Sequence, residues 1–324
     1  MRMTQGSGEE SVSEKPRIVH LDKITMGGFE IPRPDLPHEW IEHDFTDPSE
    51  VVSRLAGAQV AIINKVRMDA ETLAALSDLK LIAVTATGTD VVDSAAAKAR
   101  GIEVRNVVGY AGTSVAEHVI MLVFALARGL VPFRNSVIDG RWEGGQAFCV
   151  FAAPVRDLVG QRLGLFGSGA IAQSVADRAR ALGMDVVFAG RKGQPAGEGK
   201  LPFEEVLATS DIVSLHCPLT DETRHMLNAQ SLATMKPGAL IINTARGALI
   251  DLDALEAALE AGRIGGAGID VAPVEPPPAG SPILRLARRE NVIVTPHAAW
   301  LSEQAVTDLA RRTGENVATF LAAR

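Results

Sequence analysis

The chain has 324 residues, 47% of them apolar and 22% charged, with a formal net charge of −7. These proportions belong to a packed chain of about two domains and exclude a disordered one, and the lack of a long basic run excludes a nucleic-acid surface while leaving room for small anionic ligands. Two cysteines, Cys149 and Cys217, stand in unlike contexts and offer no disulfide framework, which makes a reduced, cytoplasmic compartment the expectation.

Residues 1–15, MRMTQGSGEESVSEK, lack the hydrophobic region of a signal peptide and read as a loose tail. From Arg17 onward short apolar runs, RIVHL, VAIIN (60–64) and LKLIAVTA (79–86), alternate with helix-like segments. That rhythm predicts a parallel sheet with crossover helices. The greasy run VIMLVFALA (119–127) is flanked by Glu117, His118 and Arg128. It is far short of the roughly 20 residues that span a bilayer, so a buried helix is expected and no membrane partner. The helix should open at the cap signal of Thr113 or Ser114 and stop around Gly129. Its apolar content exceeds one face, which suits packing against a neighbouring domain or subunit.

After the polar and aromatic stretch DGRWEGGQAFCVF, six further strands are expected: RLGLFG (162–167), DVVFAG (185–190), DIVSLHC (211–217), ALIINTA (239–245), GGAGIDV (265–271) and NVIVTPH (291–297). Six suit a doubly wound sheet. The terminal helix, SEQAVTDLARRTGENVATFLAA, lies beyond that series and is expected to return to the first domain. The expected architecture is α/β, with two Rossmann-like domains built on parallel sheets. A dinucleotide-binding domain (108–298) is inserted into a substrate-binding domain made of 16–107 and 299–324.

Gly167, Gly169 and Ala172 form a G-x-G-x-x-A pattern directly after one strand and directly before a helix. Gly167 permits a tight turn, Gly169 lets backbone approach a pyrophosphate, and Ala170 and Ile171 open the helix whose N-terminal N–H groups meet the negative charge. The ribose-binding carboxylate expected about twenty residues on is missing. Gly190, Arg191 and Lys192 stand there instead. An acid would repel a 2′-phosphate, whereas Gly190 would make room for one and the two cations would bind it, so NADP is the expected cofactor, with NAD possible.

Three more polar side chains fall at strand ends, where open parallel sheets bind ligands: Arg246 in INTARGALID, Glu275 in IDVAPVEPPP and His297 in VTPHAAW. Reversible oxidation of a secondary alcohol needs an acid–base group at the oxygen and a cation at the substrate carboxylate. His297 suits the first task and Arg246 the second, while Glu275, hydrogen-bonded to the imidazole, would favour its charged form. Taken singly, each also has a plain structural reading.

Together with GSGAIA, HCPLTDETRHML and MKPGALIINTARGALID, these motifs resemble the D-2-hydroxyacid dehydrogenases, over nearly all of the chain after the tail. INKVRMDAETL, KLIAVTATGTDVVD and NVVGYAGTSVAEHV are similar to the glycerate dehydrogenase (hydroxypyruvate reductase) branch. The resemblance implies catalytic roles for Arg246, Glu275 and His297, and a reductase of small 2-oxo acids such as hydroxypyruvate and glyoxylate. It places Thr113, His216, Cys217, Pro218, Thr244, Ala245, Asp270 and His297 beside the cofactor, and Lys65, Thr87, Gly88 and Arg246 at the substrate. Cys217 is no nucleophile, since hydride transfer requires none. The chain is expected to form a homodimer, with Trp142 or Phe148 at a pocket across its interface. No histidine spacing signals a metal. Phosphoglycerate dehydrogenase and a co-repressor-like sensor of dinucleotides are the alternatives.

Overall fold

The structure, a computed structural model, describes residues 15–324. The expected tail, apart from Lys15, lies outside the described residues. Short β-branched runs set the frame. Strands β1 (Arg17–His20), β2 (Glu39–Glu42), β3 (Val60–Ile63), β4 (Leu81–Val84) and β5 (Glu103–Arg105) pair in parallel in the order β2-β1-β3-β4-β5. Short helices α1 (Val51–Arg54), α2 (Ala70–Ala74) and α3 (Ser94–Ala99) supply connections. β3 and β4 are apolar throughout and wholly buried, as a strand covered on both faces must be. The edge strands β2 (EWIE) and β5 (EVR) carry charges and half-exposed positions, so their composition does not announce a strand.

The chain divides into two compact units, one running to Tyr110 and resuming at Glu303–Arg324, the other Ala111–Ser302. In the second unit α4 (Gly112–Ala127) and α5 (Leu130–Ile138) precede a six-stranded parallel sheet. Its members are β6 (Arg162–Phe166), β7 (Asp185–Phe188), β8 (Ile212–Leu215), β9 (Ala239–Asn243), β10 (Ile264–Ile269) and β11 (Val292–Val294), ordered β11-β10-β9-β8-β6-β7. Helices α6 (Ala170–Ala181), α7 (Phe203–Thr209), α8 (Ala229–Thr234), α9 (Leu252–Glu260) and α10 (Pro282–Leu286) complete it. Successive residues of one strand feed opposite faces: Leu240 and Ile242 join a core with α4 and α6, while Ile241 joins one with α7, α8, α9 and α10. The C-terminal helix α11 (Glu303–Ala322) belongs to the first unit and packs on β4. Its buried residues Val306, Leu309, Ala310, Thr313, Val317 and Phe320 recur at helical spacing along one stripe.

β6 has β7 on one side and β8 on the other, so the chain reverses its winding there and a crevice opens past the carboxyl ends of these strands. Gly164 in β6 is needed for contact with α7: a Cβ there would meet Val206 Cγ1 at 2.6 Å. Gly164→Ala should lower the urea-unfolding free energy by about 1–3 kcal/mol, the usual cost of overpacking, and unchanged unfolding would show that the α7 contact relaxes freely.

Candidate active site

The crevice is built by backbone approach. Gly167 follows β6 with φ +125°, a conformation closed to ordinary side chains, and a Cβ on it would lie 2.6 Å from the carbonyl carbon of His216. The turn after β6 and the end of β8 therefore touch main chain to main chain. Gly169 opens α6 without a side-chain cap, and nothing lies within 4 Å of where its Cβ would be. The helix thus offers the N–H groups near Ala170 and Ile171 to open space. After β9, Thr244 Oγ1 is buried with no hydrogen-bond partner among the described residues, and an orphaned buried hydroxyl implies a missing partner. A dinucleotide fits all three features.

His216 and Cys217 close the other wall, with Pro218 following. His216 Nε2 pairs with the buried Ser214 hydroxyl at 2.8 Å. Burial lowers the His216 pKa to about 4 and raises that of the Cys217 thiol to about 11, so the imidazole is neutral and the sulfur a poor nucleophile. Arg191 and Lys192 are exposed beyond β7, Lys192 lying 5.8 Å from the Phe203 ring centroid. Gly190 also meets a packing demand that its spacing did not announce. It is buried, and a Cβ there would stand 2.7 Å from Ala196 Cα, so the loop folding back onto the strand end demands glycine. That same fold brings Lys200 Nζ to 3.0 Å from Ser168 Oγ inside the glycine turn, a cation that sequence spacing did not reveal.

The three chemical residues arise from adjoining strand ends. Arg246 follows β9, and the side chain of buried Asn243 braces its turn, accepting from Ala245 N at 3.1 Å and donating to Arg246 O at 2.9 Å. The next residue, Gly247, abuts the segment after β10; its Cβ would sit 2.5 Å from Ala272 O. Ala272 N donates to Glu275 Oε1 at 2.9 Å, and Glu275 Oε2 lies 2.6 Å from His297 Nδ1. Arg246, Glu275 and His297 thus belong to one contiguous set of loops. Because a carboxylate only accepts, the proton on Nδ1 is directed to Glu275, an arrangement that leaves Nε2 able to exchange a proton.

The carboxylate of Asp270, the residue expected beside the nicotinamide, accepts hydrogen bonds from the His297 loop. It is 1% exposed and accepts from Thr295 Oγ1 at 2.5 Å, Ala298 N at 2.8 Å and Ala299 N at 3.0 Å. Thr113 lies exposed in the first turn of α4. The expected cap signal is not used as a cap: α4 starts at Gly112 with no side-chain cap, and the Ser114 hydroxyl donates instead to Ala299 O. In the first unit, Lys65 is exposed after β3, its N–H bonded to Asp22 at 2.7 Å. After β4, Thr87 donates to Val107 O at 3.0 Å and Gly88 follows it. No group of three or more metal-ligating side chains occurs among the described residues, and none of their single helices is long and apolar enough to cross a membrane.

Residues 120–299 match the profile of the D-isomer specific 2-hydroxyacid dehydrogenase NAD binding domain. The chain belongs to that family. It is 48% identical to glycerate dehydrogenase of Methylorubrum extorquens, across 95% of this chain and 97% of that protein. Among solved structures it resembles the TT0316 protein of Thermus thermophilus, with 36% identity, a TM-score of 0.81 and coverage of 95% of this chain and 97% of that one. It also resembles an acyclic imino acid reductase in complex with NADPH and D-Arg, with 29% identity, a TM-score of 0.78 and coverage of 95% and 97%. The protein is therefore an oxidoreductase of CH–OH groups that uses a nicotinamide dinucleotide.

The buried His216 carries a stability consequence. Its folded pKa of about 4 lies below the ordinary 6.5, so nothing changes above the latter value, while below it the unfolded chain takes up a proton that the folded one refuses. His20, His43 and His118 shift in the same direction, each chiefly through burial. Urea-unfolding free energy should fall between pH 7 and pH 5, and His216→Gln should reduce that fall by on the order of 1 kcal/mol; an identical fall in the variant would refute the assignment.

Proposed function

We propose that the enzyme reduces small 2-oxo acids, hydroxypyruvate and glyoxylate, to the corresponding hydroxy acids, with D configuration where a stereocentre forms and NADPH as preferred reductant. The observation that carries the chemistry is the 2.6 Å contact of His297 Nδ1 with Glu275, beside the braced turn of Arg246. A nicotinamide dinucleotide, held at the glycine turn of Gly167 and Gly169 and at Thr244, would supply the hydride that carbon 2 takes up. His297 gives the Nε2 proton to the carbonyl oxygen and takes it back in the reverse direction. Glu275 holds the ring by accepting from Nδ1. Arg246 forks onto the substrate carboxylate and polarises the adjacent carbonyl. Hydroxypyruvate is the oxidised form of glycerate, the substrate in the name of the 48% identical relative.

Three cations support the NADPH preference: Arg191 and Lys192 after β7, and Lys200 at the glycine turn. No carboxylate occupies the end of β7 to repel a 2′-phosphate. Charge-assisted hydrogen bonds of about 1.5–3 kcal/mol each translate into tenfold to several hundredfold preference. In the same reading Lys65, Thr87 and Gly88 serve the substrate carboxylate, and Thr113, Thr244 and Ala245 the cofactor. A homodimer is supported by the apolar surface of the second unit, where Leu130 is 58%, Ile138 63%, Phe148 92% and Phe151 93% exposed. Trp142 Nε1 bonds Phe148 O at 3.0 Å and shapes that surface. The unpaired Cys149 and Cys217 suit a reduced, cytoplasmic setting.

Steady-state kinetics with hydroxypyruvate, glyoxylate, pyruvate and bulkier oxo acids, each with NADH and NADPH, test the reading. Hydroxypyruvate or glyoxylate with NADPH should give the highest kcat/KM; cofactor binding without any reduction would point to a sensor instead. His297→Gln should cut kcat by about 10²–10⁴-fold, the range for a lost acid–base group, with cofactor affinity little changed. Arg191→Ala should erode the NADPH preference by about tenfold, and an unchanged NADPH-to-NADH ratio would remove that residue from the phosphate site.

A further inference from the structure

We propose that Ser114 and His118, on successive turns of α4, are positioning residues for His297; the proposal rests on His297 being the acid–base group. The two residues are four apart and share one face of the helix. Ser114 Oγ donates to Ala299 O at 2.7 Å, and His118 Nε2 lies 3.0 Å from Thr295 Oγ1. These are the two ends of the short segment centred on His297. Asp270, whose Oδ1 lies 3.7 Å from His118 Nε2, takes Thr295 Oγ1, Ala298 N and Ala299 N with its carboxylate and His297 N, at 2.7 Å, with its backbone carbonyl. The segment is thus held at Thr295 and Ala299 by α4 and by Asp270 together.

The direction of each bond follows from chemistry. The Asp270 carboxylate accepts, so the Thr295 hydroxyl proton points to it at 2.5 Å and a lone pair faces His118. His118 Nε2 must then be the donor, which fixes its tautomer. Burial lowers the His118 pKa, against the opposing charge of Asp270, so the neutral imidazole with its proton on Nε2 fits. The resulting chain runs from His118 through Thr295 to Asp270.

His297 needs such restraint because its φ is +53°, in the left-handed region where a residue other than glycine sits at a cost of about 1–3 kcal/mol. It follows an edge strand of only three residues. Freed at Thr295 and Ala299, the backbone would relax and carry the imidazole away from the line between Glu275 and the substrate oxygen. α4 can resist this because it packs on β9, β10 and β11, with Leu122 set against Gly268.

The test uses the full-length enzyme with saturating NADPH and hydroxypyruvate, comparing Ser114→Ala, His118→Ala and His118→Gln with His297→Gln. Misplacement of a catalytic group by about 1 Å costs up to about 100-fold, so each alanine variant should lose about 10- to 100-fold in kcat. KM for the oxo acid and the NADPH dissociation constant, read by fluorescence, should stay within about twofold. His118→Gln, which keeps an N–H donor near the position of Nε2, should recover most of the rate. Should His118→Ala not fold, Ser114→Ala, lacking a single hydroxyl, carries the same test. Full kcat in folded Ser114→Ala and His118→Ala beside an inactive His297→Gln would overturn the α4 proposal alone. So would a glutamine variant no better than alanine, or a loss confined to thermal stability. Normal turnover in His297→Gln would overturn the acid–base reading and the proposal with it.

Discussion

A carboxylate withdrawn from water is tolerated only when hydrogen bonds replace its hydration, and Asp270 is where this constraint shapes the site. Two backbone N–H groups and one hydroxyl converge on it, all from the segment that carries His297. An unpaired buried charge would be costly, so the loop has little freedom to do anything but close around the carboxylate. The left-handed backbone at His297 is sustained by this enclosure. In turn the imidazole meets Glu275, and Glu275 is tied to Ala272, two residues beyond Asp270 itself. One buried carboxylate thus organises the placement of the His297–Glu275 pair.

The parallel sheet supplies the rigid frame for that arrangement. Strands β8 and β9 are buried on both faces, and the residues that speak for chemistry all emerge where strands end. Glycine makes the close approaches: Gly167 lies against the backbone of His216, and Gly247 against Ala272 and Pro273. At these points the need is for absent side-chain volume, and larger residues would push apart the very loops that form the crevice.

Much of this organisation was legible in the residues. Central strands such as VAII and ALIIN declare themselves because full burial demands continuous apolar runs. The glycine turn after β6 was legible for a related reason: a strand, a Gly-x-Gly and a helix in sequence leave few alternatives. The edge strands β2 and β5 were not, since EWIE and EVR pair along one edge only and include charged, half-exposed positions. Lys200 was hidden because it reaches Ser168 only through the return of a loop 32 residues along the chain. The same holds for Ser114, whose spacing signalled a helix cap and whose hydroxyl serves a carbonyl 185 residues away.

By itself, then, the order of residues determined the parallel α/β frame, the glycine turn and the strand-end positions of Arg246, Glu275 and His297, because local periodicity, strand-end position and side-chain chemistry are all written along one dimension. Only tertiary structure decided that Gly190 packs against a returning loop, that Asp270 accepts from the His297 loop and that α4 bonds Thr295 and Ala299. Each of these depends on distances between segments far apart in the chain, and such distances are set by how whole layers pack, which no local pattern encodes.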